Sequence, residues 1–216
     1  MLYDENAVRD NLRNREGRRV FYLGRGDQLT STARDYLTRE RIEILPAERA
    51  VRGPKPEHMT HLNGDCLVEK THPRIAFRGK LDSLEGELIL CQLALPELKD
   101  RLGELLALAR EIMACDVLEK PLEERSLWGL TQSDLRRRSH FPQEFYGQPH
   151  FMPGAADGMT VARLNRLRTQ VRETELAAAH AYPGDSRGDL LRALNRMSSG
   201  VYLLMIEEKG NAKVDS

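Results

Sequence analysis

Aromatic residues make up only 6% of the 216-residue chain. So little ring area argues against an all-β sandwich or barrel. A surplus of either charge is also missing. The 33 basic residues are matched by 33 acidic ones, which argues against a general nucleic-acid binder, normally marked by basic excess. No stretch approaches the roughly 18 consecutive apolar residues of a membrane-spanning helix. The opening Met1-Leu2-Tyr3-Asp4-Glu5 is acidic and polar, so no secretory leader is read. Cysteine is scarce: Cys66, Cys91 and Cys115 are odd in number and widely spaced, and form no disulfide framework. The expectation is a soluble, reduced, cytoplasmic protein with neither nucleic acid nor membrane as partner. What remains is 40% hydrophobic and 31% charged, enough for one compact domain or a domain with a small appendage.

The first 58 residues read differently from the rest. A polar helix is expected over Asp4 to Arg15, then a strand at Val20-Phe21-Tyr22-Leu23 and a turn at Gly24-Arg25-Gly26-Asp27. Thr30 is placed to cap a helix through Ala33, Tyr36 and Leu37. A second strand-like run, Ile42-Glu43-Ile44-Leu45, follows, and Pro46 to Glu57 reads as a linker. From Thr71 onward the pattern is helical. Pro73 sits at a tolerated first-turn position, and Phe77, Leu81, Leu84, Leu88, Cys91 and Leu95 recur at alternating spacings of four and three. Pro96 ends or restarts that helix. Leu98, Leu102, Leu105, Ala109 and Ile112 repeat the rule, and a short helix is expected around Ser133 to Arg138. Long helices are expected over Asp157 to Ala181 and over Asp185 to Ile206, the last capped by Asp185 or Ser186, with a frayed polar tail after Glu208. The fold class is mainly α: a bundle of roughly five helices with a small N-terminal α/β appendage. The expected division is 1–58 for appendage and linker, 59–208 for the bundle and 209–216 for the tail.

Charged residues lie beside the apolar seams. Arg78, Asp82 and Glu85 fall one position along from Phe77, Leu81 and Leu84; Arg168, Arg172 and Glu175 repeat the spacing beside Leu164, Leu167 and Val171. Two arginines at i, i+4 repel by about a few tenths of a kcal/mol on an isolated helix. An anion held between their guanidinium forks reverses that sign. The flank is therefore either a solvated edge with ordinary Arg–Glu pairing or an anion site. Similarly, Pro149-His150-Phe151-Met152-Pro153-Gly154 either plugs the bundle end or walls a large planar ligand. Weaker candidates are the glycine turn from Gly24 to Thr30, which lacks the Walker lysine, and His58, His61 and Cys66, whose spacing fits no standard zinc arrangement. Arg136-Arg137-Arg138 reads as a helix flank. No Ser/His/Asp or Cys/His set stands out, and Cys91 lies on the core seam, where an inert thiol is expected.

Taken together, these stretches resemble the ATP:cob(I)alamin adenosyltransferases, in particular the type encoded with ethanolamine utilisation. His72-Pro73-Arg74-Ile75-Ala76-Phe77-Arg78-Gly79-Lys80-Leu81-Asp82-Ser83-Leu84-Glu85 keeps the Pro, Arg, Gly, Asp and Leu of the propanediol type's D-P-R-V-E-A-Y-G-x-V-D-E-L-N in register. Phe151-Met152-Pro153-Gly154 approximates the family's F-x-L-P-G loop. Leu167-Arg168-Thr169-Gln170-Val171-Arg172-Glu173-Thr174-Glu175 matches its A-R-T-x-x-R-R-A-E helix, and Leu194-Asn195-Arg196-Met197-Ser198-Ser199 its L-N-R-L-S-D segment. Thr60-His61-Leu62 and Gly129-Leu130 are similar to the ethanolamine type. The motifs run in family order over most of the chain from Leu29 to Ile206.

The resemblance implies transfer of the 5′-deoxyadenosyl group of ATP to cob(I)alamin, with release of triphosphate. Co(I) is itself a strong nucleophile, which explains why no general base is found. It implies an Asp82–Arg168 ion pair across a subunit boundary, and ATP contacts from Arg172, Glu175 and Asn195, with magnesium shielding the phosphates. Phe151 would lie under the corrin and exclude a lower cobalt ligand, beside His150 and Met152; Arg78 would meet phosphate or corrin. A dimer or trimer, a reductant such as a reduced flavoprotein, and association with a bacterial microcompartment are also implied. The chain departs from the family at Ser199, where the propanediol type has aspartate, and in the N-terminal phosphate loop. It has only Cys66 where some ethanolamine types carry a cysteine cluster, so no cysteine-bound iron or zinc is expected. Two other readings stand beside the enzyme: a non-catalytic corrinoid carrier or microcompartment adaptor, and a plain helical interaction module.

Overall fold

A computed structural model describes residues 2–15, 18–24, 26–47, 56–63, 66–184 and 186–211. It divides into two compact units, one of Met1–Ile75 with Ala114–Pro121, the other of Ala76–Met113 with Leu122–Ser216. In chain order the elements are β1 (Leu2–Tyr3), α1 (Glu5–Asp10), β2 (Arg13–Arg15), β3 (Arg18–Gly24), β4 (Gln28–Leu29), α2 (Ser31–Arg39), β5 (Glu43–Ala47), β6 (Met59–Asn63), β7 (Cys66–Glu69), α3 (Pro73–Ala94), α4 (Lys99–Val117), α5 (Gln132–His140), α6 (Pro142–Tyr146), α7 (Gly158–Ala181) and α8 (Gly188–Asn211). The class is mainly α, a helical bundle with a small N-terminal α/β part. Among the described residues no helix is long and apolar enough to cross a membrane.

The first unit holds the strands. The Thr30 hydroxyl accepts the Ala33 N–H at 3.2 Å and starts α2. That helix carries the crossover between β3 and β5, which pair in parallel with Phe21 opposite Ile44. Val8, Phe21, Ala33, Tyr36, Leu37 and Ile42 close one small core beneath it. The polar N-terminal helix is shorter than expected. It is capped by Asp4, whose carboxylate accepts the Ala7 N–H at 2.8 Å, and it ends at Asp10, where the Asn11 amide donates to the Ala7 carbonyl. Residues Arg13–Arg15 instead form β2, antiparallel to β3: edge pairing outweighs helical continuation once Asn11 has satisfied the helix end. A second difference is the antiparallel β6–β7 hairpin, with Leu62 and Leu67 buried. Arg25 and most of the expected linker, 48–55, lie outside the described residues, whereas Pro46 and Ala47 belong to β5. Arg74 of the His72-Pro73-Arg74 stretch is structural. It pairs with fully buried Asp116 at 3.2 Å and with Glu119 at 2.8 Å, while Asn63 donates to Glu119 at 2.7 Å.

In the second unit the expected seams are buried: Phe77, Leu81, Leu84, Leu88 and Cys91 on α3, and Leu102, Leu105, Ala109 and Ile112 on α4. Pro96 opens one 3-10 turn between them. A capping box between Thr131 and Asp134 begins α5. α7 carries Val161, Leu164, Leu167, Val171 and Ala178 inward. α8 departs from expectation at its C-terminal end and in its middle. Asp185, one of its expected caps, lies outside the described residues, and the helix runs past Glu208 to Asn211. Its residues from Val201 to Ile206 are all buried, so this stretch is enclosed on every side rather than along one seam. α7, α5 and α6 all pack on α8. Gly200 is required by that packing, because a β-carbon there would stand 3.0 Å from the Trp128 ring. Trp128 cannot easily retreat: its backbone N–H donates to Glu104 at 2.9 Å, its indole N–H to the Arg101 carbonyl at 3.1 Å, and the Arg101 guanidinium covers its face.

Candidate functional site

A cleft of about 670 Å³ opens in the second unit. Two helical stripes and one loop build it. From α7 come Arg168, Arg172, Glu175, Leu176 and Ala179, spaced so that one face is presented; from α8 come Leu191, Asn195, Ser198, Ser199 and Tyr202 on the same rule. The loop contributes His150, Phe151, Met152 and Pro153, and the end of α5 contributes Ser139 and His140. The cleft thus gathers Arg168, Arg172, Glu175, Asn195, His150, Phe151 and Met152, all singled out in the sequence. Arg78 and Asp82 are not among its lining residues. Asp82 is exposed on α3, and Arg78 is half-buried there. Within one protomer Arg168 instead faces the Tyr202 ring, 5.1 Å from its centroid.

One end of the cleft is polar. The Asn195 amide donates to Glu175 at 2.9 Å, and its carbonyl oxygen accepts from Arg196 at 2.9 Å. Glu175 is the one carboxylate lining the cleft among the described residues. Burial, and then the neighbouring Arg172 charge, pull the Arg168 guanidinium below its ordinary pKa, against a smaller opposite pull from Tyr202. The buried Arg168 Nε has no hydrogen-bond acceptor among the described residues.

The other end is aromatic, and Tyr202 is its hub. Its ring stacks on His150 at 5.8 Å and 10°, and on Phe151 at 6.1 Å and 24°. Its hydroxyl lies 3.0 Å from His150 Nδ1, while His150 Nε2 lies 3.1 Å from the His140 carbonyl. A carbonyl can only accept, so Nε2 carries the hydrogen and, in the neutral ring, Nδ1 accepts from the tyrosine hydroxyl. The loop is tied down at its far side. Asp157 accepts the Gly154 N–H at 2.8 Å and the Lys209 ammonium at 2.7 Å, and Lys209 sits 4.1 Å from the Phe151 ring centroid. The Lys209 bond, followed by the Gly154 N–H, holds Asp157 below the usual carboxylate range. Met152 is 91% exposed at the rim.

Sequence reasoning passed over Tyr202 and Lys209. Tyr202 follows Asn195 by seven residues, the same helical face, and that spacing was its available signal. Lys209 was assigned to the tail. His61 and Cys66 lie on opposite strands of the β6–β7 hairpin, and no group of three potential metal ligands occurs among the described residues.

The cleft therefore joins a guanidinium stripe to an aromatic loop. The family model for cobalamin adenosyltransferases matches residues 51–208, and the chain belongs to that family. It is 40% identical over 164 residues to the corrinoid adenosyltransferase EutT of Salmonella typhimurium, covering 70% of this chain and 59% of that protein. Identity, length and coverage are the same for the EutT of Escherichia coli K12. The chain thus spans less than two thirds of the length of these curated relatives. No solved structure matches it.

Proposed function

We propose that the chain moves the 5′-deoxyadenosyl group of ATP to cob(I)alamin, as an adenosyltransferase of the ethanolamine-utilisation type. The observation that carries this reading is that one cleft is lined by both the cationic stripe of α7 and the aromatic loop. Cobalt(I) attacks C5′, the C5′–O bond breaks, and triphosphate departs with the electron pair. The chain's share is positioning and charge. Arg172 meets the triphosphate, while Glu175 and Asn195, locked to each other, orient the nucleoside. One lining carboxylate builds no dedicated metal cage; magnesium would arrive on the phosphates, with Glu175 as its nearest protein donor. Phe151, flanked by His150 and Met152, walls the lower corrin face and keeps water from cobalt. The unaccepted Nε of Arg168 supports a carboxylate reaching it from a second copy, and exposed Asp82 supplies one. This makes the working form a homo-oligomer. Arg78, half-buried on α3, contacts phosphate or corrin from that same boundary. Electrons come from a reductant such as a reduced flavoprotein, in the cytoplasm or at a microcompartment.

The test mixes protein, ATP, magnesium and chemically reduced cobalamin and follows the cob(I)alamin absorbance. Protein-dependent loss is expected; its absence refutes the transfer, and corrinoid binding without ATP binding would make the chain a carrier. Arg172→Ala should weaken ATP binding at least tenfold, and unchanged affinity would remove its assigned role.

A further inference from the structure

In the helical unit several arginines face a carboxylate: Arg101 with Glu207, Arg110 with Glu85, Arg125 with Glu111, Arg137 with Glu144, Arg166 with Glu87, Arg187 with Asp189. Arg136, Arg192 and Arg196, along the α5–α8 seam, are not among them. Arg192 and Arg196 stand at i, i+4 on α8, and Arg136 lies on α5, which packs along α8. The Arg196 side chain reaches α5, sharing a small cavity with Gln132 and Leu135. Among the described residues the side chains of Arg136 and Arg192 make no ion pair or hydrogen bond, and both residues are exposed. Arg196 donates to Asn195, the residue that holds Glu175 in the cleft. Burial, and after it the positive charges of Arg136 and Arg192, lower the Arg196 pKa, with Glu175 acting the other way. Like charges kept this close without a counter-charge cost stability. A chain with zero net charge had other places for them.

We propose that Arg136, Arg192 and Arg196 form a polyphosphate seat on the α5–α8 edge of the cleft, extending the phosphate contact made by Arg172. Guanidinium forks take phosphate oxygens in pairs, and three of them suit a linear chain of phosphates better than a single carboxylate. The seat rests on the adenosyltransferase reading for its natural ligand, the triphosphate of ATP or the triphosphate released. It places the nucleoside at Asn195 and Glu175, with the phosphates running outward past α5.

The test is calorimetric titration of the whole chain with inorganic tripolyphosphate, ATP and adenosine, comparing wild type with an Arg136→Gln/Arg192→Gln double variant. Tripolyphosphate and ATP should bind at least tenfold more weakly to the variant, with a shallower salt dependence, while adenosine binds as before. The variant's melting temperature should stay level or rise, because a repulsion is relieved; a purely structural pair of arginines would lower it. Equal tripolyphosphate affinity in both proteins overturns the seat, as does a wild type that binds none. If tripolyphosphate binds through these arginines while cob(I)alamin is never consumed, the seat stands and the transferase reading falls.

Discussion

Replacing Tyr202 separates the contribution of its ring from that of its hydroxyl. The side chain is 8% exposed. Tyr202→Phe removes the contact with His150 Nδ1 at 3.0 Å, a net loss of about 0.5–1.5 kcal/mol. It keeps the stacks on His150 and Phe151 and the face under Arg168. Tyr202→Leu loses those as well. Two aromatic pairs contribute about 0.5–1.5 kcal/mol each and the Arg168 contact about 0.5–2 kcal/mol, while leucine's own burial returns a part. The expected total is about 2–5 kcal/mol. Urea denaturation followed by fluorescence reads it directly, because Trp128 is the only tryptophan in the chain. The leucine variant should also lose at least tenfold more transfer rate than the phenylalanine variant at saturating ATP, since Phe151 and Arg168 relax together. Equal denaturation midpoints for the two variants would refute the claim that the ring organises the site.

Two further outcomes follow from the titrating groups. Asp189 holds the Leu122 N–H at 2.8 Å and a bidentate Arg187. Burial raises its pKa, but the Arg187 and Leu122 bonds outweigh that and leave it below the ordinary value. Its contribution is thus present above about pH 4 and lost as pH falls through the lowered value. Asp189→Asn should cost about 1–3 kcal/mol at pH 7 and progressively less toward pH 3; a gap that does not narrow contradicts the assignment. Cys91 is pushed up to about 11 by burial, then by Glu87, against Arg163. Its stabilising effect is complete below about pH 8.5 and is lost as pH rises from there through about 11. At pH 8 the native thiol should alkylate at least tenfold more slowly than Cys66 and Cys115, as read by mass spectrometry, and comparable rates would contradict its burial.

The α3 and α4 seams were legible because each apolar position recurs at three or four residues against a charged background. The α7 stripe was legible because Arg168, Arg172 and Glu175 break the economy of a stability-only helix. The β6–β7 hairpin was not read, although Asn63-Gly64 is a turn signal, because exposed His61 interrupts a short strand pattern. The first helix was read too long, since polar residues carry no periodicity to mark its end. Tyr202 was hidden by its company: an aromatic residue beside Val201, Leu203 and Leu204 reads as core, and only the facing loop shows that its outer edge is a surface. The Asp82–Arg168 pair that the resemblance implies is not formed within one chain, where Asp82 is exposed on α3 and Arg168 faces the Tyr202 ring.

The enclosure of α8 ties the cleft to the centre of the unit. Asn195, Ser198 and Tyr202 face the cleft while Leu194, Met197 and Val201 hold the interior, so both duties fall on one rod. Substitutions among residues 203 to 206, which touch no ligand, would therefore blunt turnover before any unfolding became visible. A bound substrate would in turn slow amide exchange deep within the bundle, far from any atom it contacts.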